Sequence, residues 1–144
     1  RKDHLALIVP AAHALSAQAA INFIYSLDFD HVGLQANSSI ALAMYQAAAE
    51  AGRAIRLRIR VTGLDAMGRM IANGLGVGVM PARAFELLQP ADGPLRAVPL
   101  NDDWARRDIS LIARDFATLP ATARALVEHL RAAIPALPEL ARAA

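Results

Sequence analysis

The chain has 144 residues, enough for one domain of average size or two small lobes, and at 56% hydrophobic and 19% charged it can bury a core and is not a disordered segment. Its net charge of +2, carried almost wholly by arginine (Lys2 is the sole lysine), is too small to argue for a nucleic-acid partner. The absence of cysteine excludes disulfide scaffolds, thiolate metal sites and cysteine nucleophiles, and no apolar run approaches the ~20 residues that span a bilayer.

The opening Arg1-Lys2-Asp3-His4 has no methionine and leads straight into an apolar stretch, which reads as a fragment of a longer protein with no export signal in view. Leu5 to Val9 is a continuous apolar run stopped by Pro10, the pattern of a strand buried on both faces. Ala11 to Leu27 reads as a connector with room for one short helix, and Asp28 to Leu34 as a strand with Phe29, Val32 and Leu34 apolar. Asn37, Ser38 and Ser39 are good N-cap residues for a helix from Ile40 to Ala51. Its predicted stripe is Ile40, Met44, Ala47 and Ala51, with Gly52 where a terminating glycine is expected.

Ile55, Leu57, Ile59 and Val61 alternate with Arg56, Arg58 and Arg60, so a strand with one wet face follows. Leu64, Met67, Ile71 and Leu75 then repeat at helical spacing, and Asn73-Gly74 ends that helix. Leu75 to Met80 is another strand, with Gly76 and Gly78 on the face opposite Leu75, Val77 and Val79. Pro81 suits the first turn of a third helix running to about Leu88, and Gln89 to Pro94 is loop. Leu95 to Leu100 reads as a strand near an edge, because Pro99 lacks an N–H. Ile109 to Ala113 reads as the last strand. Pro120 begins a final helix with Ala123, Leu126, Val127, Leu130 and Ile134 as its buried stripe, and the tail follows Pro135. This alternation implies an α/β fold with helices covering a mostly parallel sheet.

Few motifs carry chemistry. Gly74, Gly76 and Gly78 fail as a dinucleotide fingerprint, since a helix precedes them, a strand follows, and Pro81 stands where the last glycine would be. They read instead as a helix end and as sites of close strand packing. The four histidines, His4, His13, His31 and His129, stand at no metal-ligand spacing and read as surface or loop residues. No nucleophile elbow or carboxylate pair marks an enzyme, and no cofactor is implied. The stripe Arg56, Arg58, Arg60 reads as a solvated strand face in preference to an anion contact. Arg106 and Arg107, in a polar loop after Trp104, read as surface, with an ionic contact to a neighbouring lobe as the other reading. Asn37-Ser38-Ser39 follows a strand and starts a helix, where backbone N–H groups and the helix dipole attract carboxylates. A plain N-cap accounts for it equally well.

Several segments in order resemble the LysR-type transcription regulators. Leu5 to Leu15 is similar to the family's strand followed by proline, two residues, histidine, proline and leucine, with Ala14 in place of the second proline. Asp65 to Pro81 matches the family's most recognisable helix–strand pair. Val98-Pro99-Leu100, Trp104 to Arg107 and Ile109 to Arg114 follow as expected, so the resemblance runs from about Leu5 to Leu130.

The resemblance implies a two-lobe domain like that of periplasmic binding proteins, with the second lobe (10–108) essentially complete. The first lobe would be partial, made of the strand in 1–9 and a return segment at 109–134, with 135–144 as tail. It implies a small-molecule effector sensor in a bacterial, cytoplasmic regulator, and neither an enzyme nor a membrane protein. A small anionic effector would sit between lobes, with Asn37, Ser38, Ser39, Thr62 and Gly63 lining the cleft and no metal involved. It also implies a homodimer or higher oligomer in the full-length protein, through the helix from Ile40 to Ala51, where Leu42, Tyr45 and Ala49 extend the apolar surface. DNA would be bound only by a winged helix-turn-helix that this chain lacks. A solute-binding protein for a small anion is the alternative on the same two-lobe plan.

Overall fold

The longest strand, β1 (Lys2–Pro10), carries the fold. The computed structural model describes residues 2–90 and 92–133. Leu5 to Val9 are all at most 1% exposed, and their alternation feeds two cores. Leu5, Leu7 and Val9 pack with Phe23, Leu27, Ile40, Met44 and Val98 on one face, while Ala6 and Ile8 pack with Val32, Met67, Ile71 and Met80 on the other.

After β1 the connector forms two 3-10 helices, Ala14–Ala17 and Phe23–Asp28, where a single helix is predicted. Then come β2 (Asp30–Gly33), α1 (Ser39–Glu50), β3 (Arg56–Arg60), α2 (Leu64–Ala72), β4 (Gly78–Pro81), α3 (Ala82–Leu88), β5 (Leu95–Pro99), β6 (Arg106–Asp108) and α4 (Ala121–Ala133). The buried residues of α1 are Ile40, Ala41, Met44 and Ala48, so the stripe turns toward Ala41 and Ala48 and leaves Ala51 exposed. Gly52 and Gly74, at φ 66° and 77°, end α1 and α2 in the left-handed conformation that glycine adopts without strain.

The sheet departs from the mostly parallel expectation. β1 pairs antiparallel with both β4 and β5, and β6 also pairs with β1. β2 and β3 pair in parallel, and a parallel bridge between His31 and Val77 continues that direction toward β4. The strands from β2 to β5 therefore share one direction, as alternation with helices dictates. β1 precedes that alternation and enters between β4 and β5, so its own pairings are antiparallel. β5 lies beyond β1 at the end of the β4–β1–β5 path, as its Pro99 led one to expect.

Two glycines permit the close packing. A Cβ on Gly76, whose φ is 142°, would lie 2.2 Å from the Asp30 carbonyl oxygen. One on Gly78 would lie 2.9 Å from the Val32 carbonyl and about 3 Å from Ile71 and Met67 of α2.

The chain divides into two compact units, Lys2–Arg107 and a second that begins at Asp108. β1 lies between β4 and β5 in the sheet of the first unit. In the second unit the strand expected at Ile109 to Ala113 does not form. Ile109, Leu111 and Ile112 are 53%, 43% and 93% exposed, so the apolar side chains of this run are not drawn into a core. α4 forms with Pro120 accepting from the Arg124 N–H, but its stripe is not buried: Leu126 and Leu130 are 57% and 38% exposed. Ile134 and the tail 135–144 lie outside the described residues.

Candidate functional site

β2 and β3 run in parallel to the same edge, with Gly33 opposite Arg60, and the Val61 N–H extends the ladder to the Gly33 carbonyl at 2.9 Å. The chain leaves that edge twice into helices. From β2 it turns through residues 34–37 into α1, and from β3 it passes Thr62 and Gly63 into α2. Both helix N-termini thus stand beyond the carboxyl ends of adjacent parallel strands, the side of an open α/β sheet where ligands collect. This arrangement brings Asn37, Ser38 and Ser39 to the same edge as Thr62 and Gly63. Asn37, Ser39 and Thr62 are exposed, and Ser38 and Gly63 half-buried.

The two helix starts differ. Ser38 is the N-cap of α1: its backbone is extended (φ −71°, ψ 145°) and its Oγ accepts from the Ala41 N–H at 3.1 Å. Its own N–H donates to the Gln35 carbonyl at 2.9 Å, which holds the turn. The plain capping role is therefore present. It uses one of the first-turn amides and leaves those of Ser39 and Ile40 without an intrahelical acceptor. The first turn of α1 has no acidic residue, so its positive dipole end is not offset there. α2 begins at Gly63 without a side-chain cap, but Asp65 stands in its first turn, ion-paired to Arg69 at 3.1 Å. A Cβ on Gly63 would meet nothing within 4 Å, so the Thr62–Gly63 turn faces open space.

Two concavities among the described residues of the first unit do not include these five residues. A void of about 10 Å³ beneath α1, lined by Val32, Met44, Met67 and Val79 among others, is apolar and at most water-sized. A shallow groove elsewhere is lined by Leu15, Gln18, Ile21, Asn22, Tyr25 and Phe29.

The remaining polar groups are structural. Arg56 and Arg58 pair with Asp30 at 3.0 and 3.8 Å, Arg53 pairs with Asp28 at 2.5 Å, and Arg60 donates to the Tyr45 hydroxyl at 3.3 Å. The arginine stripe is thus a solvated strand face, ion-paired at Arg56 and Arg58. Arg106 and Arg107 begin a short strand where a loop is predicted; Arg106 pairs with exposed Asp103 and Arg107 with buried Asp3.

His31 is the sharpest departure from the sequence reading. It is fully buried in β2, not on the surface. Its Nδ1 lies 3.0 Å from the Phe29 carbonyl and its Nε2 3.1 Å from the Ser26 Oγ, which itself donates to the Phe23 carbonyl at 2.7 Å. Burial lowers the His31 pKa, opposed by the Phe29 hydrogen bond and the Asp30 charge. With both side chains at 0% exposure this serine–histidine pair cannot meet a substrate; it ties the second 3-10 helix to β2. Its sequence signal was faint: a lone histidine between Asp30 and Val32 in a short strand. Among the described residues no three His, Cys, Asp or Glu side chains group to hold a metal ion, and no helix is long and apolar enough to cross a membrane.

The order of strands and helices that builds this edge is shared with known proteins. The family model for the LysR substrate binding domain matches residues 1–135. The chain belongs to that family. Its fold is accordingly the periplasmic-binding-protein-like α/β fold of LysR substrate-binding domains. Solved structures agree with this at the level of fold. The regulatory domain of CcmR from Synechocystis PCC6803, in complex with 2-PG, is 18% identical with a TM-score of 0.77, covering 92% of this chain and 63% of that one. HinK, a LysR family transcriptional regulator from Pseudomonas aeruginosa, is 16% identical with a TM-score of 0.72, covering 91% and 45%. The effector binding domain of QuiR, in complex with shikimate, is 19% identical with a TM-score of 0.63, covering 74% and 49%. The LysR chain described here thus spans between 45% and 63% of the length of these structures. No curated protein sequence matches it.

Proposed function

We propose that this LysR substrate-binding domain is the effector sensor of a bacterial transcription regulator, acting in the cytoplasm and not as an enzyme. The observation that carries the reading is the pair of helix N-termini, of α1 and α2, at the carboxyl edge of the parallel strands β2 and β3. Asn37, Ser38, Ser39, Thr62 and Gly63 line the effector site, and the ligand is a small anion held by the free first-turn amides of α1. Residues 10–108 are the second lobe of a two-lobe sensor, and 109–134 return toward a first lobe completed by chain outside these residues. The effector acts by binding one arrangement of the lobes better than the other, since only differential affinity shifts an equilibrium.

The first probes are shikimate and 2-PG, the ligands named for two of the structural neighbours. NMR titration of the full-length regulator with these and a panel of small carboxylates is expected to move the amides of Ser39, Ile40 and Gly63. The double change Ser38→Leu, Ser39→Phe is expected to abolish the shifts while the protein stays folded. Unchanged affinity in that variant rejects the site assignment.

The regulator is a homodimer that meets DNA through a winged helix-turn-helix elsewhere in the protein, and α1 contributes to the dimer. Leu42 and Tyr45 on its outer face are 58% and 38% exposed, the apolar surface that reading needs. Glutamate at both positions in the full-length protein is expected to shift it to monomer in light scattering; an intact dimer rejects this interface.

A further inference from the structure

The beginning and the end of the Lys2–Arg107 unit are joined by one buried ion pair. Asp3, at the start of β1, meets Arg107, in β6; their side chains are 4% and 26% exposed. Every other ion pair among the described residues leaves both partners at least 31% exposed. Those pairs are screened by water and hold little. The Asp3 carboxylate, in contrast, is left uncompensated in a dry place if Arg107 moves away.

Its position matters more than its strength. Arg107 is the last residue of the first unit, and the next unit begins at Asp108. β6 is only three residues long, with Arg106 and Asp108 exposed on either side of half-buried Arg107. Its backbone pairing to β1 and the Arg107 side chain tie it to the sheet. β1, by comparison, is held by β4 and β5 over Leu5 to Pro10, independently of β6.

We propose that Asp3 and Arg107 form a hinge clamp: the pair fixes β6 on β1 and so sets the direction in which the chain leaves the unit at Asp108. The clamp stands on this geometry alone. Its regulatory consequence, that the freedom of the chain at Asp108 is limited by one ion pair, rests on the sensor reading above. Breaking the pair frees β6 without opening the sheet.

The test uses Asp3→Asn and Arg107→Gln singly, and the exchange of the two charges (Asp3→Arg with Arg107→Asp), in the whole chain. Amide hydrogen exchange at 106–108 is expected to quicken about tenfold or more in each single variant, with Leu5 to Val9 unchanged, and to slow again in the charge exchange. The chain has no cysteine, so Ala72→Cys and Ala125→Cys, one exposed position in each unit, take spin labels cleanly. The distance distribution between them is expected to broaden in the single variants. If a single variant fails to fold, Arg107→Lys keeps the charge and loses the planar fork, and an intermediate exchange rate at 106–108 is expected. Unchanged exchange at β6, acceleration spread evenly over β1, or an unaltered distance distribution each overturns the clamp. None of these readouts involves an effector, so failure here leaves the sensor reading standing, and failure of the effector titrations leaves the clamp standing.

Discussion

Leu5 to Val9 lie between two strands at no more than 1% exposure, whereas Ile109, Leu111 and Ile112 are 53%, 43% and 93% exposed and form no strand. Both runs are five residues long, and apart from Ser110 in the second both are apolar. The difference between them is supplied by neighbours. β4 pairs with Leu5 to Ile8 and β5 with Ala6 to Pro10, and side chains from both cores cover the two faces of β1. A strand is a property of a sheet, and an apolar run becomes one only where ladder partners reach it.

The largest effect separates the two runs directly. Leu7→Ala is expected to cost about 2–5 kcal/mol, since Leu7 is fully buried and its removal leaves a cavity. Ile112→Ala is expected to change stability by no more than about 0.5 kcal/mol. Urea denaturation of both variants checks this, and a similar loss in each would break the comparison. Next come the glycines that let strands approach the β1 sheet. Gly76→Val faces both the Asp30 carbonyl and a φ of 142°, and Gly78→Val faces Val32 and α2. Each is expected to cost about 1–3 kcal/mol by overpacking, Gly76 more than Gly78 because of the added backbone strain. A Gly78→Val protein as stable as its parent in urea would mean that the α2 face of β4 has slack.

A smaller effect sharpens the comparison at a helix start. Ser38→Ala is expected to cost about 1 kcal/mol through the lost Oγ bond to the Ala41 N–H, and Ser38→Gly a few tenths. Equal losses in thermal unfolding would show that the serine acts through its backbone instead. The smallest effect is the pH dependence of His31. Burial holds its imidazole below the ordinary 6.5, so between the folded and the unfolded pKa the unfolded chain binds more protons. Its contribution is therefore complete above the unfolded value and is lost as pH falls through the folded one. His13, also lowered by burial, adds in the same direction. The urea midpoint is expected to decline from neutral toward mildly acid pH, and less steeply in His31→Gln. A decline just as steep in that variant would assign it to other groups.

How much of this was legible follows from what each pattern records. Local patterns were read well: the 3.6-residue repeat of α2, the two-residue alternation of Ile55 to Val61, the stops at Gly52 and Gly74, and the capping residues before α1. So was the ordered set of segments that resembles LysR regulators, which the match over residues 1–135 bears out. The candidate site was legible in part. Ser38 is a true N-cap, and the parallel register of β2 with β3 is what sets Thr62 and Gly63 at the same edge. His31 was misread as a surface residue, and for Arg107 an ionic contact was only the second reading, because nothing adjacent in the chain announces Ser26, Phe29 or Asp3 as partners.

The sequence by itself determined the alternation of elements, their ends and the family, because propensity, capping and apolar period act within a few residues. Tertiary structure alone decided the antiparallel entry of β1 between β4 and β5, the burial of His31, the Asp3–Arg107 pair and the fate of Ile109 to Ala113. Each of these depends on hydrogen bonds or contacts between residues far apart in the chain. Their free energy comes from a partner that local pattern does not name.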